Sequence, residues 1–272
     1  MKIQGKELAN EILEKLKIER KRYNFEIKFK IITFKNDVAN ASFIKIKKSF
    51  AEKLDIKCDV HYLDESKTNK ELRKEINKIA REKFVKGVII QLPIPKGLNH
   101  NMLINAIPEK VDTDCLTYRN LGKFYQNRGD IMPPTVSALD FLIKKFDLKL
   151  GNVLLVGQGE LIGKPIAQYL INNKIQFNNI NSSCKNINEL CLEADSIITG
   201  VGLAGLICSK YIKDNSNIFD YGCSKKEKIC GDCEDSDDFE KKCNLYAPVP
   251  NGVGPIVVAK LFENLFKQIN IN

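Results

Sequence analysis

The stretch NVLLVGQGELIGKPIAQYLINN (152–173) sets an apolar strand, a glycine-rich turn and an amphipathic helix end to end. In that setting the turn carries backbone N–H groups to a helix N-terminus, where amides and the helix dipole hold a pyrophosphate. Gly157, Gln158, Gly159, Ile162 and Gly163 are therefore candidate cofactor-contacting residues. Their spacing, G-x-G-x-x-x-G, is one residue longer than the usual dinucleotide pattern, and a tight strand-to-helix turn without a ligand is the alternative reading. Short strands follow at IQFNNI (175–180), SIITGVG (196–202) and NIFDYG (217–222), each closing on polar or glycine residues. Open parallel sheets hold ligands at the C-terminal edges of their strands, which adds Thr199, Gly200, Gly202 and Gly222 to the set. The first of these strands runs into Asn181-Ser182-Ser183-Cys184-Lys185, with no Asp or Glu to accept from a ribose 2′-hydroxyl. Hydroxyls such as Ser182 and a lysine leave room for a 2′-phosphate, which favours NADP over NAD.

Working outward, the first half shows the same alternation. Leu8, Ile12 and Leu16 recur every fourth residue, the mark of an amphipathic helix. EIKFKIITF (26–34) reads as a strand. A helix over 41–54 is expected to bury Ile46, Phe50 and Leu54, with Phe43 and Lys47 one turn apart on a neighbouring face. A short strand (59–62), a polar helix (69–81) and the strand GVIIQL (87–92) complete a β-α-β pattern, which predicts a parallel α/β sheet. A short helix (101–107) precedes an irregular stretch holding Asp112, Asp114 and Gly122. IMPPT (131–135) marks a boundary before a helix over 136–146, and an apolar helix (256–269) closes the chain. The expected fold is α/β with two lobes. Residues 1–132, completed by the C-terminal helix 256–272, form a catalytic α/β lobe, and residues 133–255 form a Rossmann-like nicotinamide-binding lobe with a parallel sheet.

Composition narrows the function classes. Of 272 residues, 43 are Lys or Arg and 34 Asp or Glu, for a net charge of +9. The excess lies in residues 1–150, which carry +11 against −2 for the remainder. No run reaches five or six like charges or interleaves with aromatics, which argues against nucleic-acid binding. No apolar stretch approaches the ~18 residues of a membrane span. His61 and His100 are too few and too far apart for a His-centred metal site. Cys230 and Cys233 in ICGDC could be read as a zinc knuckle, but the apolar flank and the central Gly-Asp fit a strand end better, and no metal is expected. Nine cysteines, with a charged helix-like segment after Met1, lead us to expect reduced thiols and a cytoplasmic protein.

Three polar residues stand where a parallel sheet would gather them. Lys47 sits on a helix beside Phe43, Gln91 ends a strand, and Asp114 lies in a loop after the first lobe. Each also has a plain reading: one surface lysine among many, a strand cap and a turn residue.

Four ordered motifs resolve this. ASFIKIKK (41–48) resembles the Ser-x-x-Tyr-x-x-x-Lys helix of the bifunctional methylenetetrahydrofolate dehydrogenase/methenyltetrahydrofolate cyclohydrolase family. VIIQLPIP (88–95) is similar to its Val-Gln-Leu-Pro-Leu-Pro strand, and KVDTDCLTYRNLG (110–122) to its Lys-Asp-Val-Asp-Gly segment with the following Asn-x-Gly. PVPNGVGP (248–255) nearly reproduces Pro-Val-Pro-Gly-Gly-Val-Gly-Pro. The resemblance covers essentially the whole chain.

It implies that Lys47 is the catalytic lysine, Gln91 its partner and Asp114 the aspartate that holds the folate pterin. Phe43, Pro93, Asp112, Pro250 and Gly252 are the implied substrate contacts. The implied chemistry belongs to one-carbon metabolism. Methylenetetrahydrofolate is oxidised to methenyltetrahydrofolate with NADP, and the product is hydrolysed to 10-formyltetrahydrofolate by what is expected to be a homodimer. Departures are visible. Phe43 replaces the family's Tyr, Pro134 a Cys, Asn251 a Gly and Val257 a Thr. Gln158 replaces the Arg that would help hold a 2′-phosphate, which makes NAD the alternative cofactor. The rival readings are a single-activity member of the family, a shikimate-type two-lobe dehydrogenase and a non-catalytic basic binding protein.

Overall fold

The computed structural model describes residues 1–34, 41–225 and 229–271. The chain divides into two compact units. One comprises Glu11–Pro134 with Val258–Asn272, the other Met1–Asn10 with Thr135–Val257.

Helix α1 (Gly5–Arg20) leads into the first unit. Its sheet is built from β1 (Lys28–Phe34), β2 (Lys57–Leu63) and β3 (Val85–Ile90), all parallel, in the order β2-β1-β3. β1 is buried from Phe29 to Phe34, as its unbroken apolar run requires of a central parallel strand. The exception in that run is Lys30, whose Nζ lies 2.8 Å from both Asp59 and Glu82, so the buried charge is paired. The connecting helices are α2 (Ala41–Lys53), α3 (Asn69–Ala80), α4 (His100–Ile104) and α5 (Tyr118–Tyr125). α3 starts on a capping box between Thr68 and Glu71 and buries Leu72, Ile76 and Ile79.

Two sequence expectations fail here. Ile46 is 51% exposed, and α2 instead buries Ile44, Phe50, Ala51 and the following Leu54. The inward stripe runs 44-47-51-54, so Lys47 occupies an inward position one turn from Ile44 and from Ala51. Gly122, read as part of an irregular stretch, lies inside α5.

The second unit begins with α6 (Pro134–Lys145), whose proline takes the first helical position, where no N–H is needed. There follow β4 (Val153–Val156), α7 (Gly163–Asn172), β5 (Phe177–Ile180), α8 (Ile187–Glu193), β6 (Ser196–Thr199) and β7 (Ser216–Asp220). A two-strand hairpin of β8 (Ser224–Lys225) and β9 (Ile229–Cys230), then α9 (Asp237–Lys242) and β10 (Cys243–Ala247), complete it. The sheet order is β10-β7-β6-β4-β5, all parallel. The chain passes from β4 to β5 on one side and returns to β6 on the other. This places a topological switch point between β4 and β6, where open sheets bind ligands.

Met1–Asn10 extends this unit. The Met1 amino group donates to the carbonyls of Cys243 and Asn244 at 3.3 and 2.8 Å, and the Ile3 N–H donates to Tyr246 at 2.9 Å. The sequence division had placed these ten residues in the first lobe.

The last helix, α10 (Val253–Ile271), returns to the first unit. There Phe262 packs on Phe29 (ring centroids 5.0 Å apart) and on Phe50 (5.2 Å). Among the described residues no helix is long and apolar enough to cross a membrane, and no group of three or more His, Cys, Asp or Glu could hold a metal ion.

Candidate active site

In the first unit β3 ends at Ile90, and the Gln91 N–H donates to the Ile32 carbonyl at 2.8 Å, which fixes Gln91 at the strand's C-terminal edge. From the inward face of α2, Lys47 Nζ donates to Gln91 Oε1 at 2.8 Å. The amide oxygen is an uncharged partner, so it orients the amine without forcing it to stay protonated. Burial pushes the Lys47 pKa down, against the nearby charge of Asp114. Burial raises Asp114 to about 6; the Lys47 charge opposes this and Asp112 adds to it. Burial thus moves both groups toward their neutral forms, as expected of ionisable groups gathered in a desolvated site. Burial also holds the Cys58 thiol up at about 11, so it is a neutral neighbour.

The loop that presents Asp114 is built by its own polar residues. Asp112, expected as a substrate contact, is 1% exposed. Its carboxylate accepts from the Leu116 N–H (3.2 Å), the Thr117 N–H (2.9 Å), the Thr117 hydroxyl (2.7 Å) and the Asn120 amide (2.9 Å). It organises the turn from within and presents no free face. α10 clamps the same loop: Asn264 Nδ2 donates to the Thr113 carbonyl at 3.0 Å, and Gln268 Nε2 donates to those of Glu109 and Asp112. Sequence reading missed Asn264 and Gln268. In the sequence they are two among several polar residues of the closing helix, beside Lys260, Glu263, Lys267 and Asn270, and nothing local singles them out. Cys115 follows Asp114 with φ +56°, the left-handed conformation. Phe43 is 41% exposed on α2, and Pro93 is exposed just past Gln91.

In the second unit Gly157 follows β4 with φ +111°, and a side chain there would meet Val201 at 2.8 Å. Gly163 opens α7, and a Cβ on it would lie 2.2 Å from the Gly157 carbonyl. The α7 N-cap, Ile162, has no side chain to satisfy the first amides. Ile162 also packs under Gly200, while Gly202 takes φ +76°. Gln158 leans toward the end of β5, where its Oε1 accepts from Asn181 Nδ2 at 3.1 Å; Ser182 beside it is exposed. Thr199, expected to contact cofactor, is fully buried, and its hydroxyl donates to Asp232 at 2.7 Å. Gly222 is likewise buried, its N–H donating to Asp220. Pro250 and Gly252 belong to this unit, next to Asn251 at φ +72°.

Family models for the tetrahydrofolate dehydrogenase/cyclohydrolase catalytic domain and NAD(P)-binding domain match residues 3–114 and 133–272. The chain belongs to this family. Among its relatives, the bifunctional protein FolD of Clostridium botulinum (strain Eklund 17B / Type B) is 34% identical, with 96% of this chain and 95% of that protein covered. FolD of Clostridium beijerinckii is 31% identical over 99% of the chain and 98% of its own length. The crystal structure of the bifunctional FolD methylenetetrahydrofolate dehydrogenase/cyclohydrolase from Campylobacter jejuni superposes with a TM-score of 0.92 at 28% identity, covering 100% of this chain and 99% of that one. The family's NAD(P)-binding model covers the Gly157–Gly163 turn, and its catalytic model covers Lys47, Gln91 and Asp114.

Proposed function

We infer that this chain carries both family activities, oxidising 5,10-methylenetetrahydrofolate and hydrolysing the methenyl product to 10-formyltetrahydrofolate. The observation that carries this reading is the Lys47–Gln91 pair, 2.8 Å apart, with Asp114 in electrostatic reach, in a chain whose other unit holds a glycine turn at its sheet's switch point. Separate assays of the two steps test it, and loss of either activity in the purified protein reduces the reading to a single-activity enzyme.

In the first unit Asp114 binds the pterin, offering two carboxylate oxygens to its amino and ring N–H groups. Lys47, with its pKa lowered, accepts the proton as water adds to the electrophilic methenyl carbon, and Gln91 holds the amine on line. Phe43 and Pro93 supply apolar surface to the substrate; the Tyr-to-Phe change at Phe43 removes only a hydroxyl. Pro250 and Gly252 remain candidate substrate contacts, while Asp112 acts through the loop it holds. Because Asp114 is raised to about 6, its pterin-binding ionised form is lost below that pH. The kcat/KM for methenyltetrahydrofolate should rise as pH increases through about 6, and that limb should vanish in Asp114→Asn. A wild-type profile flat from about pH 5 to 7 would contradict the assignment.

The second unit fits a nicotinamide dinucleotide. Gly157 and Gly163 leave the backbone bare, α7 starts without a side-chain cap, and no acid stands at the end of β5. Gly157, Gln158, Gly159, Ile162, Gly163, Ser182, Gly200 and Gly202 are the residues we assign to it, and when bound it accepts the hydride from the methylene carbon. We propose NADP as the cofactor, supported by the acid-free β5 end with Ser182 and Lys185. Gln158 weakens that preference because it is uncharged. Gln158→Arg should improve the NADP-to-NAD ratio of kcat/KM by about tenfold, the lower range for one hydrogen bond to a charged group. An unchanged ratio would remove this position from cofactor choice.

Nine cysteines, none of them joined in a disulfide among the described residues, support placing the enzyme in the cytoplasm. A homodimer is the assembly we propose, to be checked by sedimentation of the purified protein.

A further inference from the structure

ICGDC (229–233) was of interest for its cysteines, yet its aspartate has the denser set of contacts. Asp232 is fully buried. Its carboxylate accepts three hydrogen bonds, from the Thr199 hydroxyl (2.7 Å), the Val201 N–H (2.8 Å) and the Leu203 N–H (2.7 Å). All three donors belong to the end of β6 and the loop after it. Asp232 is in turn held by a second buried carboxylate at the end of β7: Asp220 accepts from the N–H groups of Asp232 (3.1 Å), Cys233 (2.9 Å) and Gly222 (2.8 Å). Two glycines make room for this arrangement, since a Cβ on Gly222 would lie 2.2 Å from Asp232 and one on Gly231 2.1 Å from Asp220. The loop so anchored turns the side chains of Val201 and Leu203 outward, 45% and 60% exposed. The loop also packs on the glycine turn, with the Val201 side chain against Gly157 and the Ile162 side chain against Gly200.

We propose that Asp232 is a positioning residue for the nicotinamide cofactor. It fixes the 199–203 loop against the Gly157–Gly163 turn, so that the cofactor meets a preformed surface. The inference rests on the assignment of this turn to the dinucleotide. Backbone N–H groups aimed at a buried carboxylate are not free to collapse onto the ligand site, and the loop has no regular secondary structure of its own to hold it. The relay from Asp220 through Asp232 to the loop thus joins the ends of β7 and β6 at the edge where parallel sheets take ligands.

The test uses Asp232→Asn and Asp232→Ala in the full-length protein. Asn keeps one acceptor oxygen but turns an amide N–H toward the loop's donors, whereas Ala removes all three bonds. The KM for the nicotinamide cofactor should rise about tenfold in the Asn variant and further in the Ala variant, while cyclohydrolase turnover, which uses no nicotinamide, stays within about twofold of wild type. A merely structural role would lower both activities together, through loss of folded protein. Should Ala leave no folded enzyme, the Asn variant and Thr199→Val, which removes only one donor, still decide the matter. Cofactor KM values unchanged in folded Asp232→Asn and Thr199→Val would overturn the proposal. Failure of the wild-type protein to use any nicotinamide cofactor would instead overturn the functional reading on which it rests.

Discussion

Lys47→Met is expected to slow hydrolysis of methenyltetrahydrofolate by about 10²- to 10⁴-fold, the usual contribution of a positioned proton-transfer group. Methionine matches the length of the lysine stem and is a good helix former, so α2 should keep its packing through Ile44, Ala51 and Leu54. What disappears is the amine whose burial lowers its pKa and which donates to Gln91 Oε1. Binding of the nicotinamide cofactor, assigned to the other unit, should be unchanged and serves as the control for folding. Wild-type hydrolysis by a folded Lys47→Met protein would remove Lys47 from the mechanism.

Asp114→Ala should weaken folate binding by roughly a hundredfold or more. The carboxylate is assigned two charge-assisted hydrogen bonds to the pterin, each worth about 1.5–3 kcal/mol. Asp114→Asn keeps one acceptor and should fall between Ala and wild type. Stability should move the other way. A carboxyl whose folded pKa is raised to about 6 is disfavoured by the fold once ionised, so its contribution to stability is present at acid pH and lost as pH rises through that value. At neutral pH the Ala variant should therefore melt no lower than wild type. Calorimetric affinity for tetrahydrofolate equal to that of wild type would show that Asp114 does not touch the pterin.

The two parallel sheets were legible mainly from the short, largely apolar runs of β1, β3, β4 and β6, whereas β10, the edge strand of the second sheet, was not expected from sequence. Lys47, Gln91 and Asp114 were legible from motifs, while their convergence needed the fold. The phase of α2 was misread because a lysine sits in the inward stripe; hydrophobic periodicity discards that position and promotes Ile46 in its place. Thr199 looks available as a polar residue at a strand end, and the family resemblance puts Asp112 against substrate, yet both side chains are buried and committed within the protein. Their partners, Asp232 for Thr199 and Thr117 and Asn120 for Asp112, are set by tertiary structure. The same limit hid Asp232, Asn264 and Gln268, which act on backbone groups far away in sequence. The docking of Met1 and Ile3 on β10 joins residues more than 240 apart, and no local pattern encodes it.

The most direct test of the central claim follows both products of one reaction, in which the purified protein is mixed with methylenetetrahydrofolate and NADP, and in parallel with NAD. Reduced nicotinamide and 10-formyltetrahydrofolate should appear in equal amounts, with the second lost in Lys47→Met while the first persists. Absence of reduced nicotinamide with either cofactor would contradict the account.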